Sequence, residues 1–276
     1  MGIKTDPSIR MKAIYNPKGQ ALEYGEWAAN PYRGCGHKCG YCYVPTILRM
    51  PRAEFNAGAV LREGFLGAFE HDAQKLQEQG KRINIFFSFT TDLYHPGDTT
   101  PSRRVLELAH KYGHTFTVLT KGGSRALRDI DLYQENDHFA ATLTVLDNNF
   151  VSKWERDAAP WQDRIAALVK FHRAGIFTWV SIEPGFNADS SIAILEELSS
   201  VVDFFKIGRA NYLPITKTID WKDYTLRILD TVTRLGVQAY FKKDLQEFLP
   251  TGIPNQPLRP NGSFWKPNKF FSKLEK

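Results

Sequence analysis

The sequence predicts a parallel α/β fold made of repeated strand–helix units, and three observations support this prediction. Short apolar runs rich in β-branched and aromatic residues alternate with helical patterns along the 276 residues. Predicted helices end at Gly113, Gly175 and Gly236, which recur about 60 residues apart, roughly the length of two strand–helix units. Polar residues follow each predicted strand, where parallel folds place their functional groups. We count six to seven units.

The individual elements follow from local patterns in chain order. A first strand must precede residue 35, and a second covers 83–90, which is β-branched and aromatic and bounded by polar residues. Thr100 is the expected N-cap of the next helix, with Pro101 in its first turn and Gly113 at its end. Further strands are predicted at 115–120, 138–145, 176–182, 203–207 and 237–241, and further helices near 124–133, 160–174, 189–199 and 221–235.

The composition is typical of a globular protein, with 42% hydrophobic and 24% charged residues. The length fits one large domain and no internal linker is visible, so we expect a single domain over 1–276 with a core of about 26–244. Short extensions, 1–25 and 245–276, flank this core. No apolar run approaches the roughly 18 residues of a membrane span, and 1–10 lacks a signal-peptide core. We therefore expect a cytoplasmic protein with no membrane partner.

The net charge of +6 is concentrated at the two ends of the chain. Residues 1–55 hold 8 Lys and Arg against 4 Asp and Glu, and residues 242–276 hold 7 against 3. The tail also interleaves lysines with aromatic residues, as in Phe264-Trp265-Lys266 and Lys269-Phe270-Phe271. This combination favours a nucleic-acid partner, through phosphate neutralisation and base stacking. The alternative is that the tail packs its rings on the core and leaves its lysines in solvent.

All three cysteines of the chain, Cys35, Cys39 and Cys42, lie in one short C-x3-C-x2-C run. Thiolates are the soft ligands of iron–sulfur clusters, and three of them can hold three irons of a cubic [4Fe–4S] cluster, leaving the fourth iron open. A zinc site that adds His37 is the alternative, but its four ligands would be more tightly spaced than in common zinc sites. A disulfide with one free thiol is less consistent, because secreted scaffolds use more cysteines. The pattern favours the cluster.

Polar side chains just beyond the predicted strands form a second group of candidates. Because the carboxyl ends of parallel strands converge at one end of the fold, we expect these side chains to share a site. They combine hydrogen-bond donors with acceptors, and positive with negative groups, so together they could hold a polar ligand. The candidates are Thr91, Asp92, Lys121, Thr142, Thr144, Glu183 and Arg209.

The cysteine spacing resembles that of the radical S-adenosylmethionine (radical SAM) superfamily. Further motifs resemble its spore photoproduct lyase-like branch: Asn-Pro-Tyr-x-Gly-Cys-x-His-x-Cys-x-Tyr-Cys-Tyr over 30–43, Thr-Asp-x-Tyr-x-Pro over 91–96, Thr-Lys at 120–121 and Arg-Asp-Ile-Asp-Leu over 128–132. The resemblance implies a partial (β/α)6 barrel of the TIM type, with the cluster loop after the first strand.

The resemblance also implies an activity. The open iron of the [4Fe–4S] cluster would bind SAM, and an electron from the cluster would release a 5′-deoxyadenosyl radical that abstracts a hydrogen atom from a substrate. A flavodoxin- or ferredoxin-type protein would donate that electron. The implied cofactor contacts are Tyr41 beside the cluster and SAM, Thr91 and Asp92 at the SAM ammonium group, Lys121 at its carboxylate, and Thr142 or Thr144 at its ribose.

One departure from the branch bears on the substrate. True spore photoproduct lyases are expected to carry a fourth cysteine just before the element at 91–92, where it returns a hydrogen atom to the product. This chain has no cysteine there, which argues against thymine-dimer repair by that route. A nucleic acid or nucleotide is the first substrate hypothesis, and a small metabolite or peptide is the alternative. The non-enzyme alternative is a zinc-bound nucleic-acid module.

Overall fold

The computed structural model describes residues 11–253, so the predictions made for the aromatic and basic tail at 264–276 lie outside the described residues. Its strands are Ile14–Tyr15 (β1), Trp27–Ala29 (β2), Tyr32–Arg33 (β3), Val60–Leu61 (β4), Asn84–Phe87 (β5), Thr115–Thr120 (β6), His138–Thr142 (β7), Phe177–Gly185 (β8), Phe204–Arg209 (β9) and Ala239–Phe241 (β10). Its α-helices are Val44–Ile47 (α1), Arg52–Phe55 (α2), Phe65–Glu78 (α3), Thr100–Lys111 (α4), Asn148–Trp154 (α5), Trp161–Arg173 (α6), Ala188–Leu198 (α7), Trp221–Leu235 (α8) and Lys243–Gln246 (α9). Three 3-10 segments cover Gly19–Glu23, Gly123–Leu132 and Pro214–Lys217.

Eight of the strands form one sheet in the order β1-β2-β5-β6-β7-β8-β9-β10. β1 runs antiparallel to β2, and every other neighbouring pair in this sheet is parallel. β3 and β4 form a separate antiparallel pair. Helices connect successive parallel strands, as the crossover between parallel strands requires. The sheet confirms the predicted parallel α/β fold.

Alternate residues of each strand point to opposite faces of this sheet. In β7, Phe139 and Ala141 belong to a large apolar core with the helices, whereas Ala140 belongs to a second cluster on the other face. On the helix-covered face, the rings of Phe139 and Phe171 of α6 stack with centroids 3.8 Å apart. The two faces of the sheet therefore have separate cores.

The sheet curves around its inner face. The ring of Tyr24 lies 5.4 Å from that of Phe86 in β5 and 6.1 Å from that of Trp179 in β8, so one side chain touches strands that are not neighbours. Glu23 connects the edges of the sheet, because its Oε2 accepts hydrogen bonds from Tyr240 Oη and from the Lys243 amide, both at 2.8 Å. Within residues 11–253 no ladder pairs β10 with β1. This is the partial barrel that the resemblance implied.

Specific hydrogen bonds account for two predicted details that are wrong. The helix α4 begins at Thr100 itself, and the carboxylate of Asp98 accepts the Thr100 amide at 2.9 Å, so Thr100 is not the N-cap. The second predicted strand ends early, at Phe87, because the amides of Phe89 and Thr90 donate to the Asn30 side chain at 2.8 and 3.1 Å. The helix predicted near 124–133 is a 3-10 segment, and α3 was not predicted. Among the described residues, no helix is both long and apolar enough to span a membrane.

Candidate active site

The cysteine loop and the carboxyl ends of the strands enclose one cavity of about 570 Å³. The loop follows β2 and β3, and the other walls come from residues of 15–24 and from residues at or near the ends of β5 to β10. All but one of the predicted site residues line it: Cys35, Cys39, Tyr41, Cys42, Thr91, Asp92, Lys121, Thr142, Glu183 and Arg209. Thr144 is buried behind the wall, where its hydroxyl donates to Glu155 Oε1 at 3.3 Å.

Hydrogen bonds from the following segment hold the backbone of the cysteine loop. The Cys35 amide donates to the Phe55 carbonyl at 2.9 Å. The Arg52 guanidinium donates to the carbonyls of Cys39 and Cys42 at 3.3 and 2.7 Å. One arginine therefore ties two of the three cysteines to α2.

Two glycines of the loop are required by close approach. Gly34 has φ +81°, and a Cβ there would lie 2.2 Å from the Gly58 carbonyl oxygen. A Cβ on Gly40 would lie 2.9 Å from the Trp154 ring. The hydroxyl of Thr91 also donates to the Gly34 carbonyl at 2.7 Å. The loop is packed on both sides, so its three sulfur atoms emerge from a fixed backbone.

The three thiols line the same cavity, with Cys39 buried and Cys35 and Cys42 half-buried. Burial raises the pKa of Cys35, Cys39 and Cys42, that of Cys39 to about 12. For Cys35 the charge of Asp92 raises it further, whereas for Cys39 the nearby Lys121 ammonium opposes the rise. Thiols in such surroundings ionise when a cation binds them. Three sulfur donors that line one cavity fit the donor set of a three-thiolate [4Fe–4S] cluster.

Asp92 lies under the cysteine loop with both carboxylate oxygens in use. Its Oδ1 accepts from the Tyr94 amide at 2.8 Å and from Thr120 Oγ1 at 2.6 Å, and its Oδ2 accepts from the Lys121 amide at 2.8 Å. Burial by itself would raise the pKa of Asp92, but His37 and these hydrogen bonds hold it well below its usual range. These contacts make Asp92 a brace between two strand ends and the loop, so its contact with an ammonium group stays a prediction.

His37 contacts protein groups through both ring nitrogens. Its Nε2 lies 2.9 Å from Asp92 Oδ2, and its Nδ1 lies 3.4 Å from the Asp157 carbonyl. The side chain is almost completely buried. His37 braces the loop, and the structure does not turn it toward the cysteines as the zinc alternative requires.

A buried carboxylate that the sequence analysis missed stands behind Tyr41. Tyr41 Oη donates to Glu155 Oε1, and Arg164 Nη2 lies 2.5 Å from Glu155 Oε2. Tyr41 in turn forms part of the cavity wall, with the Lys121 ammonium 5.6 Å from its ring centroid. The Lys121 side chain therefore reaches the cavity between the cysteine loop and the end of β6.

The opposite wall carries a second buried ion pair. Lys242 Nζ lies 2.6 Å from Glu183 Oε1, and Tyr24 Oη donates to Glu183 Oε2. Burial and the neighbouring Glu183 charge raise the pKa of Tyr24 well above its usual value. Arg209 lines the same side, with its Nε 3.7 Å from Asp244 Oδ2. This wall offers hydroxyl, carboxylate and ammonium groups together.

The sequence contained a signal for only one of the missed residues. Lys242 directly follows the predicted strand 237–241, so the strand-end rule that selected Lys121 also applies to it. Tyr24 and Glu155 follow no predicted strand, and each meets its partner across more than 100 residues of chain. Nothing local distinguishes them.

The mouth of the cavity is aromatic and partly exposed. The rings of Tyr43 and Tyr212 lie with centroids 5.7 Å apart, and their exposed fractions are 44% and 79%. Ile47 is also exposed beside them, and Lys18 stands on the same rim. A flat ring entering the cavity would meet these side chains first.

Comparison with known proteins gives one family and several relatives. A model of the Radical SAM superfamily matches residues 29–187. An uncharacterised protein of Acidianus two-tailed virus is 28% identical over 180 residues, which are 61% of this chain and 58% of the viral protein. An uncharacterised protein of Mycobacterium bovis is 25% identical over 179 residues, 61% of this chain and 52% of that protein. The match thus spans between half and three-fifths of the length of these relatives.

Two solved structures share the fold. Spore photoproduct lyase complexed with dinucleoside spore photoproduct superposes with a TM-score of 0.64 and 16% identity, over 84% of this chain and 80% of that one. Streptococcus suis SuiB bound to S-adenosylmethionine superposes with a TM-score of 0.59 and 14% identity, over 81% of this chain and 52% of that one. At these identities the likeness shows the fold alone.

Proposed function

This chain belongs to the radical SAM superfamily, and on that premise we propose that it binds a [4Fe–4S] cluster and SAM. The chain is thus an enzyme of the radical SAM class. One observation carries the proposal: all three cysteines line the same 570 Å³ cavity as the polar residues at the strand ends. Cys35, Cys39 and Cys42 would hold the cluster.

When bound, the cluster would supply the one electron that breaks a carbon–sulfur bond of SAM, giving methionine and a 5′-deoxyadenosyl radical able to take a hydrogen atom from the substrate. The residues of the chain bind and orient the cofactor and keep water out. Lys121 offers a charge-assisted contact for the SAM carboxylate. Thr142 and Glu183 offer hydroxyl and carboxylate oxygens for the ribose, and Arg209 offers further donors. A flavodoxin- or ferredoxin-type protein is the proposed electron donor.

Anaerobic reconstitution with iron and sulfide tests the proposal. We expect a brown protein with about four irons per chain, which releases 5′-deoxyadenosine when SAM and dithionite are added. The Cys39→Ala variant should lose both the iron and this release, whereas Lys170→Ala, an exposed change on α6, should keep both. A colourless protein with one zinc per chain would overturn the proposal in favour of the zinc module.

For the substrate we propose a nucleic acid or nucleotide. The exposed rings of Tyr43 and Tyr212 at the cavity mouth offer stacking surfaces for bases, Lys18 stands on the rim, and the tail sequence is rich in basic residues. Spore photoproduct lyase, one of the structural neighbours, was solved in complex with dinucleoside spore photoproduct. SuiB was solved with a precursor peptide, which supports a peptide as the alternative.

A salt titration with short single- and double-stranded oligonucleotides separates these substrate classes. Nucleic-acid binding should weaken steeply as salt rises, because each neutralised phosphate releases a counterion. Tyr212→Ala should cost a stacking contact of about 1–3 kcal/mol, and removal of the four tail lysines, Lys266, Lys269, Lys273 and Lys276, should flatten the salt slope. Leu226→Ala, an exposed change on α8, is the control. Absence of binding at low salt would favour the metabolite or peptide.

A further inference from the structure

A buried ion pair lies directly behind the cysteine loop, and the proposed function assigns it no role. Glu155 and Arg164 have exposed fractions of 0% and 1%, and Arg164 Nη2 lies 2.5 Å from Glu155 Oε2. The other two guanidinium nitrogens each donate one hydrogen bond, Nε to the Ala159 carbonyl at 2.8 Å and Nη1 to the Thr142 carbonyl at 3.0 Å. The pair is thus held rigidly between α6 and the end of β7.

Residues on either side of Glu155 run alongside the cysteine loop. Glu155 and Cys39 form an antiparallel β-bridge. The Gly40 amide donates to the Trp154 carbonyl at 2.7 Å, and the Asp157 amide donates to the His37 carbonyl at 3.1 Å. Since these three contacts bracket the middle cysteine, the backbone of Cys39 is fixed by the segment that carries Glu155.

The same carboxylate also orients a wall of the cavity. Tyr41 Oη and Thr144 Oγ1 both donate to Glu155 Oε1. The Tyr41 ring packs against Phe186 with centroids 5.7 Å apart, and the Lys121 ammonium lies 5.6 Å from it. Glu155 therefore connects a ligand position, a wall residue and a neighbouring cation.

The charges of the pair act on Cys39 in opposite directions. Glu155 is bridged to Cys39, and Arg164 contacts Glu155, so both charges lie close to that cysteine. A carboxylate disfavours additional negative charge nearby, and a guanidinium favours it. Reduction of a cluster adds a negative charge, so the same two groups would bias reduction in opposite directions. A fully buried ion pair is a weak source of stability compared with apolar packing, because both charges are desolvated.

We infer that Glu155 and Arg164 are a positioning pair for the cluster. They orient Cys39 and Tyr41, and their opposed charges tune the reduction potential of the cluster. The inference rests on the proposed cluster, and it concerns residues that follow no strand end and belong to no cysteine motif.

The test is an EPR-monitored redox titration of the reconstituted protein. Glu155→Gln leaves the Arg164 charge unbalanced, so the reduction potential of the cluster should rise. Arg164→Gln leaves the Glu155 charge unbalanced, so the potential should fall. The double variant Glu155→Gln/Arg164→Gln should return toward the parent value. A purely structural role predicts losses of cluster in the single variants, without shifts of opposite sign and without recovery in the double variant.

Asp137→Asn is the matched control. Asp137 is also fully buried and lies 2.8 Å from a cation-forming side chain, His110 Nε2, but it precedes β7 at the opposite end of the strands. This change should leave the potential as in the parent. If Arg164→Gln does not fold, Glu155→Gln and the double variant still decide.

Two failures can be told apart. A parent protein that forms no cluster overturns the proposed function, and the inference falls with it. If the parent forms the cluster and the Glu155→Gln variant has the same reduction potential and EPR spectrum as the parent, the inference alone is overturned.

Discussion

The two faces of the sheet differ in chemistry although the same strands supply both. The outer face packs against the helices with apolar side chains, such as Phe139 against Phe171. The inner face places charges among aromatic rings: Lys206 of β9 lies there with an exposed fraction of 1%, beside the Glu183–Lys242 pair. The outer face stabilises the fold through apolar burial, whereas the inner face buries charged groups, which costs stability, and lines a polar cavity.

Lys206 shows what the inner face costs. Its ammonium donates to the Glu23 carbonyl at 2.6 Å and lies 4.0 Å from the ring centroid of Tyr24 and 5.0 Å from that of Trp179. Burial and the neighbouring Lys242 charge lower the pKa of Lys206 to about 7. The charged form of this lysine is thus disfavoured inside the barrel.

Breaking the outer face should have the largest effect on stability. Phe171→Ala removes a fully buried ring that stacks on Phe139, so we expect a loss of about 3–5 kcal/mol in the free energy of unfolding. Denaturant titration measures it. Lys170→Ala, the exposed neighbour on α6, should change it by about 0.5 kcal/mol or less. A loss below about 1 kcal/mol for Phe171→Ala would contradict the assignment of the outer face as the main core.

A change on the inner face should have an effect on stability that depends on pH. Since the pKa of Lys206 is lowered to about 7 in the fold, the unfolded chain binds the extra proton between about pH 7 and pH 10. The free energy of unfolding therefore rises with pH across that window. Below about pH 7 the folded protein bears the full cost of burying the charged lysine. Lys206→Met should thus stabilise the protein by up to about 4 kcal/mol at pH 7, and by much less at pH 10.

Unfolding at both pH values checks this prediction on the protein before reconstitution. Lys222→Met, an exposed change on α8, should give the same small difference at pH 7 and pH 10. An equal effect of Lys206→Met at the two pH values would show that its ammonium is not destabilised by burial.

The smallest expected effect is on SAM affinity, at the proposed contact with Lys121. Lys121→Met should weaken SAM binding by about 1.5–3 kcal/mol, roughly tenfold to a hundredfold, because one charge-assisted hydrogen bond is lost. Isothermal titration with the reconstituted protein measures it, and iron content should not change. Lys18→Met, at the exposed rim, controls for general charge. If Lys121→Met binds SAM like the parent, Lys121 is a wall residue without a carboxylate contact.

The parallel fold was predictable because its signals are local. Each strand and helix shows its own periodicity, and glycines in the left-handed region end helices near the predicted positions, as at Gly113 and Gly236. The boundaries were less predictable, since the end of β5 is decided by the Asn30 side chain from another part of the chain.

The site divides in the same way. The sequence by itself predicted that the three cysteines share a site, because they lie within eight residues of one another. It also predicted that strand-end residues such as Lys121 and Glu183 line that site, because parallel strands bring their carboxyl ends together. Only the tertiary structure shows that both carboxylate oxygens of Asp92 already accept hydrogen bonds from protein groups beneath the loop. It also decided that Glu155 supports Tyr41 from 114 residues away, because burial and pairing of a carboxylate depend on what the fold packs around it, and no local pattern records that.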